Sequence, residues 1–315
     1  MEPQSVTVEK FFTEHGAALQ MNLIGGGRGF SRVISEPTVN RPGLLLAGFT
    51  RYFAFRRVQI MGHAEFFYLR SLTKAERAKS YARLFRQKMP CIVFGRGLKP
   101  DQEFTDLAER AGIPVFTTPL VTMNFINKAT IELELQFAPR TSLHGCMVDI
   151  RGIGVIIRGD SGIGKSEAVL GLIERGYSLV ADDVVRITLI DGRNLLCTSA
   201  DLTRDNMEVR GIGIINVARM FGASAMRQEK ILDLIVTLKA WDDVQDIDRL
   251  GLDEDCDEVL GVKVPRVVIP VRPGRDIGRL IEVAALQAIL RKAGFNAAEE
   301  LNNRLLAQMA QQKNT

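Results

Sequence analysis

Apolar residues recur along the first part of the chain at two spacings, which predict a mixture of strands and helices. Residues 91–95 form a short apolar run typical of a buried strand, and residues 101–112 carry apolar side chains at helical intervals. Residues 113–116 return to an extended, apolar pattern. We interpret this succession as one βαβ unit. The similar mixture elsewhere in residues 1–135 indicates an α/β or α+β domain, and we predict a smaller N-terminal domain of the α/β class.

A second domain is predicted to begin where the run Phe137-Ala138-Pro139-Arg140-Thr141 interrupts any regular element, because proline continues neither a helix nor a central strand. A strongly apolar strand is predicted from Cys146 to Arg158. We therefore place the domain boundary near residue 135, with a C-terminal α/β domain over residues 136–315. Residues 276–293 have the apolar spacing of a further helix.

The composition is that of a folded protein with two ordinary cores. The chain has 315 residues, of which 46% are hydrophobic and 25% are charged, so a disordered or fibrous chain is excluded. The sequence has no run of about 18 apolar residues and no basic segment leading into an apolar one. Its four cysteines are dispersed without a C-x-x-C pair, which disfavours a zinc site or a disulfide framework. We expect a cytoplasmic protein without a membrane partner.

Positive charge is concentrated in the N-terminal part of the chain. Residues 1–140 contain 19 Lys and Arg against 12 Asp and Glu, whereas the whole chain has a net charge of only +4. The basic stretch at residues 73–88 has the spacing of a solvated helix face. An imbalance of this size is commonly a solvated surface, and we expect no nucleic-acid partner.

One glycine-rich loop carries most of the chemical information in the sequence. The run Gly159-Asp160-Ser161-Gly162-Ile163-Gly164-Lys165-Ser166 matches G-x-x-x-x-G-K-[ST], with a strand pattern before it and a helical pattern after it. Backbone N–H groups of such a loop surround phosphate oxygens, and the helix N-terminus adds its positive dipole end. Lys165 would then contact the β- and γ-phosphates, and Ser166 would bind Mg²⁺. The motif predicts nucleotide or pyrophosphate binding by this P-loop.

Candidate groups that act on the phosphate follow the loop in the sequence. Asp182 and Asp183 end the next strand pattern, where one carboxylate would serve the metal and the other would take a proton from an acceptor hydroxyl. Glu208 lies alone in a segment punctuated by glycine. Two turns that contain arginine, residues 248–251 and 270–275, could hold phosphate, although each is more often structural.

The order of these segments resembles that of the HPr kinase/phosphorylase family, bacterial enzymes that phosphorylate a serine of the phosphocarrier HPr and remove the phosphate again. The resemblance covers nearly the whole chain. It is most specific in the second half, at residues 143–145 (Leu-His-Gly), 159–166, 179–183 (Leu-Val-Ala-Asp-Asp), 208–217, 249–251 (Arg-Leu-Gly) and 270–275. The N-terminal half matches more loosely, at residues 40–44 (Asn-Arg-Pro-Gly-Leu), 46–49 and 62–65.

The resemblance implies a bifunctional, ATP-dependent protein serine kinase and phosphorylase with a C-terminal P-loop kinase domain. The catalytic positions of the family correspond to His144, Lys165, Asp183 and Arg249, and magnesium would bind Ser166 and Glu208. The residue that corresponds to Asp183 takes the serine proton during phosphorylation. It returns a proton to serine when inorganic phosphate attacks phosphoserine and pyrophosphate forms.

The family resemblance also implies partners and a division of labour. The run Pro270-Val271-Arg272-Pro273-Gly274-Arg275 would serve mainly the phosphorolysis direction. The protein partner would be HPr or a related phosphocarrier, and the reaction would regulate carbon metabolism. The chain would assemble as a homohexamer in which the C-terminal helix lies near the active site of a neighbour, and residues 276–293 are suitable for that helix.

Two other functions stay open on the sequence alone. A P-loop kinase of a small molecule would label metabolites and leave HPr unlabelled. A nucleotide-sensing DNA-binding regulator would use the basic N-terminal domain, and its complex with DNA would weaken steeply with salt. The absence of a persuasive helix-turn-helix pattern disfavours the regulator.

Overall fold

The structure is a computed structural model that describes residues 5–200, 204–244 and 255–297, together with Glu300 and Arg304. The chain divides into two compact units, Met1–Ala138 and Pro139–Thr315. The sequence predicted a domain boundary near residue 135, and the first unit ends at Ala138. Within the described ranges, every helix is too short or too polar to meet the requirements of a bilayer span.

Short strands and helices alternate along the N-terminal unit. The strands are β1 (Val6–Thr7), β2 (Asn22–Gly25), β3 (Val33–Ile34), β4 (Val39–Asn40), β5 (Val58–Met61), β6 (Ile92–Phe94) and β7 (Val115–Thr117). The helices are α1 (Val8–His15), α2 (Gly43–Leu46), α3 (His63–Ser71), α4 (Lys74–Phe85), α5 (Gln102–Ala111) and α6 (Thr122–Phe137). This alternation is that of an α/β domain, as the sequence predicted.

The main sheet of the N-terminal unit is buried on both faces. Its strand order is β2-β7-β6-β5-β4, with β4 to β7 parallel and β2 antiparallel to β7. Val93 packs with residues of α1 and α6, whereas Ile92 and Phe94 pack with residues of α4 and α5. The predicted βαβ unit is confirmed as β6, α5 and β7, and the two-sided burial explains its continuous apolar runs.

The basic stretch at residues 73–88 forms α4, as its spacing predicted. The Thr73 hydroxyl accepts a hydrogen bond from the Glu76 N–H, and the Glu76 carboxylate accepts one from the Thr73 N–H. This reciprocal cap fixes the start of the helix. Tyr81 and Leu84 are buried in the core, which leaves Lys74 and Lys79 on the solvated face.

The C-terminal unit is built from longer strands and three helices in its described part. The strands are β8 (Arg140–His144), β9 (Cys146–Ile150), β10 (Ile153–Gly159), β11 (Ser178–Ala181), β12 (Val184–Ile190), β13 (Asn194–Ser199), β14 (Asn206–Val209), β15 (Gly213–Asn216), β16 (Glu229–Ala240), β17 (Cys256–Val259) and β18 (Val262–Val271). The helices are α7 (Lys165–Glu174), α8 (Val217–Phe221) and α9 (Ile277–Lys292). Helix α9 agrees with the helix predicted over residues 276–293.

Three parallel strands organise the large sheet of this unit. The sheet runs in the order β11-β9-β10-β16-β13-β12-β8, and β18 pairs with the later part of β16. Strand β16 is parallel to both β10 and β18, with Gly159 opposite Leu238 and Ala240 opposite Val271. The carboxyl ends of β10, β16 and β18 therefore lie along one edge of the sheet. Ligands of open α/β sheets bind at such an edge.

Side chains on the two faces of this sheet enter different apolar clusters. Val155 and Ile157 of β10 pack with residues of α7 and α9, whereas Ile156 faces residues of β12 and β13. All three side chains are fully buried. The start of α7 is thereby held against the strand that precedes it, which fixes the glycine-rich loop between two rigid elements.

The single strand predicted from Cys146 to Arg158 is wrong, because this stretch forms the antiparallel hairpin of β9 and β10. Its two-residue turn consists of Arg151 and Gly152, which both have positive φ angles, of 51° and 88°. The Gly152 N–H donates to the Asp149 carboxylate at 2.8 Å. The predicted break over residues 137–141 is also shorter than expected, since β8 begins at Arg140.

Candidate active site

The glycine-rich loop connects the end of β10 to the start of α7, as the motif requires. Gly159 lies so close to β16 that a Cβ atom there would be 2.5 Å from the carbonyl oxygen of Leu238. Gly164 precedes α7 with a φ of +96°, and no side chain caps the helix at this position. The first N–H groups of α7 are therefore available to an anion, and only glycine suits both positions without strain.

Lys165 lies across the loop that it terminates. Its Nζ donates hydrogen bonds to the carbonyl oxygens of Gly159 and Asp160, at 2.8 and 2.9 Å. Ser166 follows it in the first turn of α7. The ammonium group is thus held by backbone atoms beside the helix N-terminus, where two sources of positive potential for a phosphate coincide.

A cavity of about 160 Å³ opens beside the loop and brings together most of the predicted groups. Lys165, Ser166, Asp183 and Glu208 all line it, although they come from three separate parts of the sequence. From the rest of the loop, Ser161, Gly162 and Gly164 also line it. Its volume suits phosphoryl groups and a small ion better than a whole nucleotide, because pockets for larger ligands usually exceed 300 Å³.

The two adjacent aspartates after β11 have different environments. Asp182 is 8% exposed, and its carboxylate accepts hydrogen bonds from the Cys146 thiol at 2.9 Å and from the Glu208 N–H at 3.0 Å. Asp183 is exposed and has a φ of +62°. Within the described chain its carboxylate accepts no hydrogen bond. Both oxygens of Asp182 therefore have protein donors, and Asp183 is the carboxylate of the pair that is free to meet a ligand.

The thiol of Cys146 acts as a hydrogen-bond donor in this arrangement. Burial, together with the negative charge of Asp182, raises the pKa of the Cys146 thiol far above its usual range. The thiol therefore keeps its proton at physiological pH. Nothing in the sequence singles out Cys146, because its partner Asp182 is 36 residues away and the contact depends on β9 and β11 being neighbours in the sheet.

Glu208 reaches the cavity from the hairpin of β14 and β15. Its N–H is held by Asp182, while its side chain is exposed and lines the cavity with Ser166. Among the described residues no group of three or more His, Cys, Asp or Glu side chains is placed to enclose a metal ion. One hydroxyl and one carboxylate instead suit a magnesium ion that takes its other ligands from phosphate and water.

The other predicted catalytic residues lie beside the cavity or outside the described chain. His144 is exposed at the end of β8, opposite Val184, and does not line the cavity. The next residue, Gly145, donates its N–H to the carbonyl oxygen of Asp183 at 2.9 Å. The residue that directly follows His144 is therefore hydrogen-bonded to the backbone of Asp183. Arg249, predicted to be catalytic, falls outside the described residues.

The predicted phosphorolysis segment borders a second cavity, of about 590 Å³, which is also lined by the loop. Pro270 and Val271 belong to β18, and the turn begins at Arg272. Val271, Arg272, Pro273, Gly274 and Arg275 line the second cavity, which also includes Gly162, Ile163 and Gly164. The segment therefore does approach the P-loop, although it does not line the first cavity.

Arg210 is a further residue of the first cavity that sequence reasoning did not identify. Its guanidinium lies over the loop, where a Cβ added to Gly162 would meet Nη1 at 2.7 Å. Its Nη2 donates to the Ser161 hydroxyl at 3.4 Å. Its place within residues 208–217, two positions after Glu208 and directly after β14, is its only signal in the sequence, since arginine without a phosphate-binding motif is usually a surface residue.

Comparisons with known proteins agree along both units. The family model described as the HPr Serine kinase C-terminal domain matches residues 135–305, and that described as the HPr Serine kinase N terminus matches residues 6–133. A protein named HPr kinase/phosphorylase from Leptospira biflexa serovar Patoc is 40% identical over 307 residues, which cover 97% of this chain and 95% of the relative.

One further relative and one solved structure are also similar to this chain. The HPr kinase/phosphorylase of Geobacter sulfurreducens is 40% identical over 297 residues, which cover 94% of this chain and 92% of the relative. The solved structure of the Hpr(Ser) kinase/phosphatase from Coxiella burnetii is 29% identical and covers 51% of this chain and 98% of that chain, with a TM-score of 0.47.

Proposed function

The chain belongs to the HPr serine kinase family, and on that premise we propose that it is a bifunctional HPr kinase/phosphorylase. It uses ATP to phosphorylate a serine of an HPr-type phosphocarrier and reverses the modification by phosphorolysis. One observation carries the chemistry: the free carboxylate of Asp183 lies in the same small cavity as Lys165 and Ser166. An acid and a phosphate cradle in one cavity are what transfer to an alcohol requires.

In the kinase direction the loop holds the polyphosphate of ATP. Backbone N–H groups of the loop and of the first turn of α7 bind phosphate oxygens, and Lys165 neutralises the charge that develops during transfer. Asp183 takes the proton of the serine hydroxyl as that oxygen attacks the γ-phosphorus. The bond between the γ-phosphorus and its bridging oxygen breaks, and ADP leaves.

In the phosphorolysis direction the same groups exchange roles. Inorganic phosphate binds in the loop, and one of its oxygens attacks the phosphorus of phosphoserine. Asp183, now protonated, gives its proton to the departing serine oxygen, and pyrophosphate forms. A single carboxyl can serve both directions because acid and base roles exchange when the same bond is made or broken.

The residues that would hold a magnesium ion are Ser166 and Glu208. Their hydroxyl and carboxylate oxygens are the ligand types that magnesium prefers, and both line the first cavity. The ion supplies charge neutralisation for the bound phosphates. The protein's own contribution is to fix Glu208, whose backbone is held by the buried carboxylate of Asp182.

The remaining assignments follow from the family. His144 contacts phosphate, Arg249 completes the catalytic set, and residues 270–275 serve mainly phosphorolysis. The active form is a homohexamer in which α9 lies near a neighbour's active site. Three of the four cysteines are buried free thiols, which suits a reducing compartment, and we place the reaction in the cytoplasm.

Both directions are tested in one experiment. The purified chain is incubated with HPr, ATP and Mg²⁺, and the serine-phosphorylated HPr is then isolated and incubated with the chain and inorganic phosphate. We expect phosphorylated HPr in the first step and pyrophosphate in the second. HPr with its target serine replaced by alanine is the control. Labelling of small molecules but not of HPr, or release of phosphate without pyrophosphate, would contradict the proposal.

A further inference from the structure

The carboxyl edge of the large sheet brings together three segments that are far apart in the sequence. The glycine-rich loop follows β10, Trp241 follows β16, and Arg272 follows β18. Because Ala240 and Val271 are opposite each other in parallel strands, the residues after them leave the sheet at the same level. Trp241 thus follows the central strand of the three, whereas the loop and the turn of residues 272–275 follow the strands on either side.

The indole of Trp241 contacts two guanidinium groups of that turn. The Cζ atom of Arg272 lies 4.6 Å from the ring centroid and that of Arg275 lies 5.7 Å from it. Both distances fall within the range of cation–π attraction, and arginine on tryptophan is the most favourable pairing. Trp241 is 40% exposed, so the apolar core does not require a tryptophan at this position.

Hydrogen bonds to backbone oxygens of the turn restrict the position of Arg275. Arg275 donates from Nη1 to the carbonyl oxygen of Pro270 at 3.1 Å, and its N–H donates to the carbonyl oxygen of Arg272 at 3.3 Å. The indole therefore contacts two positive charges that belong to one short turn, and each contact is attractive.

Arg272 and Arg275 both line the second cavity, which Gly162, Ile163 and Gly164 of the glycine-rich loop line as well. Two carboxylates also line that cavity, Glu167 and Asp276. Asp276 is already engaged, because it accepts hydrogen bonds from Arg175 and from the Arg279 N–H. The positive charge of the two arginines therefore exceeds the negative charge of the remaining carboxylate, Glu167. The lining of the cavity thus favours an anion next to the loop.

We propose that Trp241 is a positioning residue for phosphorolysis, which holds Arg272 and Arg275 together where the incoming inorganic phosphate approaches the loop. This inference rests on the proposed function. In this role Trp241 acts on phosphate through the two arginines that it contacts. ATP is held by the backbone of the loop and by Lys165, so the kinase direction depends on Trp241 much less.

The test compares Trp241→Leu with Trp241→Phe in the full-length chain. For Trp241→Leu we expect the KM for inorganic phosphate in phosphorolysis to rise about tenfold, because the aromatic face is lost. The KM for ATP in HPr phosphorylation should stay within about twofold of the wild type. Trp241→Phe keeps an aromatic face and should recover most of the phosphate affinity.

Several results would overturn the inference while the proposed function stands. A wild-type chain that performs both reactions, with Trp241→Leu impairing them equally, would show a general structural role. The same conclusion follows if Trp241→Phe is as defective as Trp241→Leu. A wild-type chain that forms no pyrophosphate would instead refute the proposed phosphorolysis itself.

Fluorescence provides a second test that does not depend on turnover or on a Trp241 variant. Trp241 is the only tryptophan in the sequence, so emission excited selectively from tryptophan reports on this ring alone. Arg272→Gln should change the emission of the unliganded protein, and wild-type emission should respond to titrated inorganic phosphate. Unchanged emission in both measurements would refute the stacked arrangement.

Discussion

Replacement of Asp182 by asparagine removes the negative charge that anchors β14 beneath the first cavity. The carboxylate accepts hydrogen bonds from the Cys146 thiol and the Glu208 N–H, and it is only 8% exposed. Hydrogen bonds to a charged group contribute about 1.5–3 kcal/mol each. Asparagine keeps one acceptor but turns an N–H group toward the other donor, so we expect the free energy of unfolding to fall by about 2–4 kcal/mol.

A matched control is available at the next position. Asp183 is exposed and its carboxylate accepts no hydrogen bond within the described chain, so Asp183→Asn should change the free energy of unfolding by less than about 0.5 kcal/mol. Asparagine also tolerates the positive φ of this residue, which is 62°. The two isosteric changes therefore separate a structural carboxylate from a free one.

The assay is thermal denaturation followed by circular dichroism, combined with a Mg²⁺ titration of kinase activity. For a unit of this size, a loss of 2–4 kcal/mol lowers Tm by about 4–16 °C. Asp182→Asn should also raise the Mg²⁺ concentration needed for half-maximal activity, since Glu208 loses its backbone anchor. A Tm of Asp182→Asn equal to that of the wild type would contradict the anchoring role of Asp182. The same holds if the Tm of Asp183→Asn falls as much as that of Asp182→Asn.

Three further predictions concern the loop, the turn and the thiols. Lys165→Ala should reduce the steady-state rates of HPr phosphorylation and of pyrophosphate formation at least about 100-fold, because both reactions use one phosphate cradle. A rate of HPr phosphorylation close to that of the wild type would contradict this. Arg275→Ala should lower the rate of phosphorolysis more than that of phosphorylation, and equal losses would reject that division. A thiol reagent should modify only the exposed Cys256 in the native protein and all four cysteines after denaturation; rapid reaction of a second native thiol would show that the burial of the other three is wrong.

The phosphate-binding part of the site was predictable because its chemistry is contiguous in the sequence. The loop of residues 159–166 carries its own glycines, lysine and serine, and the flanking strand and helix patterns are unambiguous. The position of Asp182 and Asp183 at the end of the next strand pattern also predicted that the two carboxylates would differ in role. Which of the two is buried could not be predicted, since Cys146 reaches Asp182 through the pairing of β9 with β11, and Glu208 reaches it from the separate hairpin of β14 and β15.

Two features of the fold escaped prediction for a related physical reason. Residues 146–150 and 153–157 are buried on both sides of the turn, so the hairpin of β9 and β10 has the apolar pattern of one long strand, and only the exposed turn at Arg151 and Gly152 divides it. The contact of Trp241 with Arg272 depends on the parallel register of β16 and β18. Neither local spacing nor composition encodes that register.

The most direct test of the account is the rate of each reaction direction in Asp183→Asn, measured beside its affinity for ATP. If one carboxyl moves the proton both to and from the serine oxygen, phosphorylation and phosphorolysis should each slow by about 10²–10⁴-fold while ATP binding is retained. Near-normal turnover in either direction, or loss of ATP binding together with activity, would contradict the assignment of Asp183 as the shared acid and base.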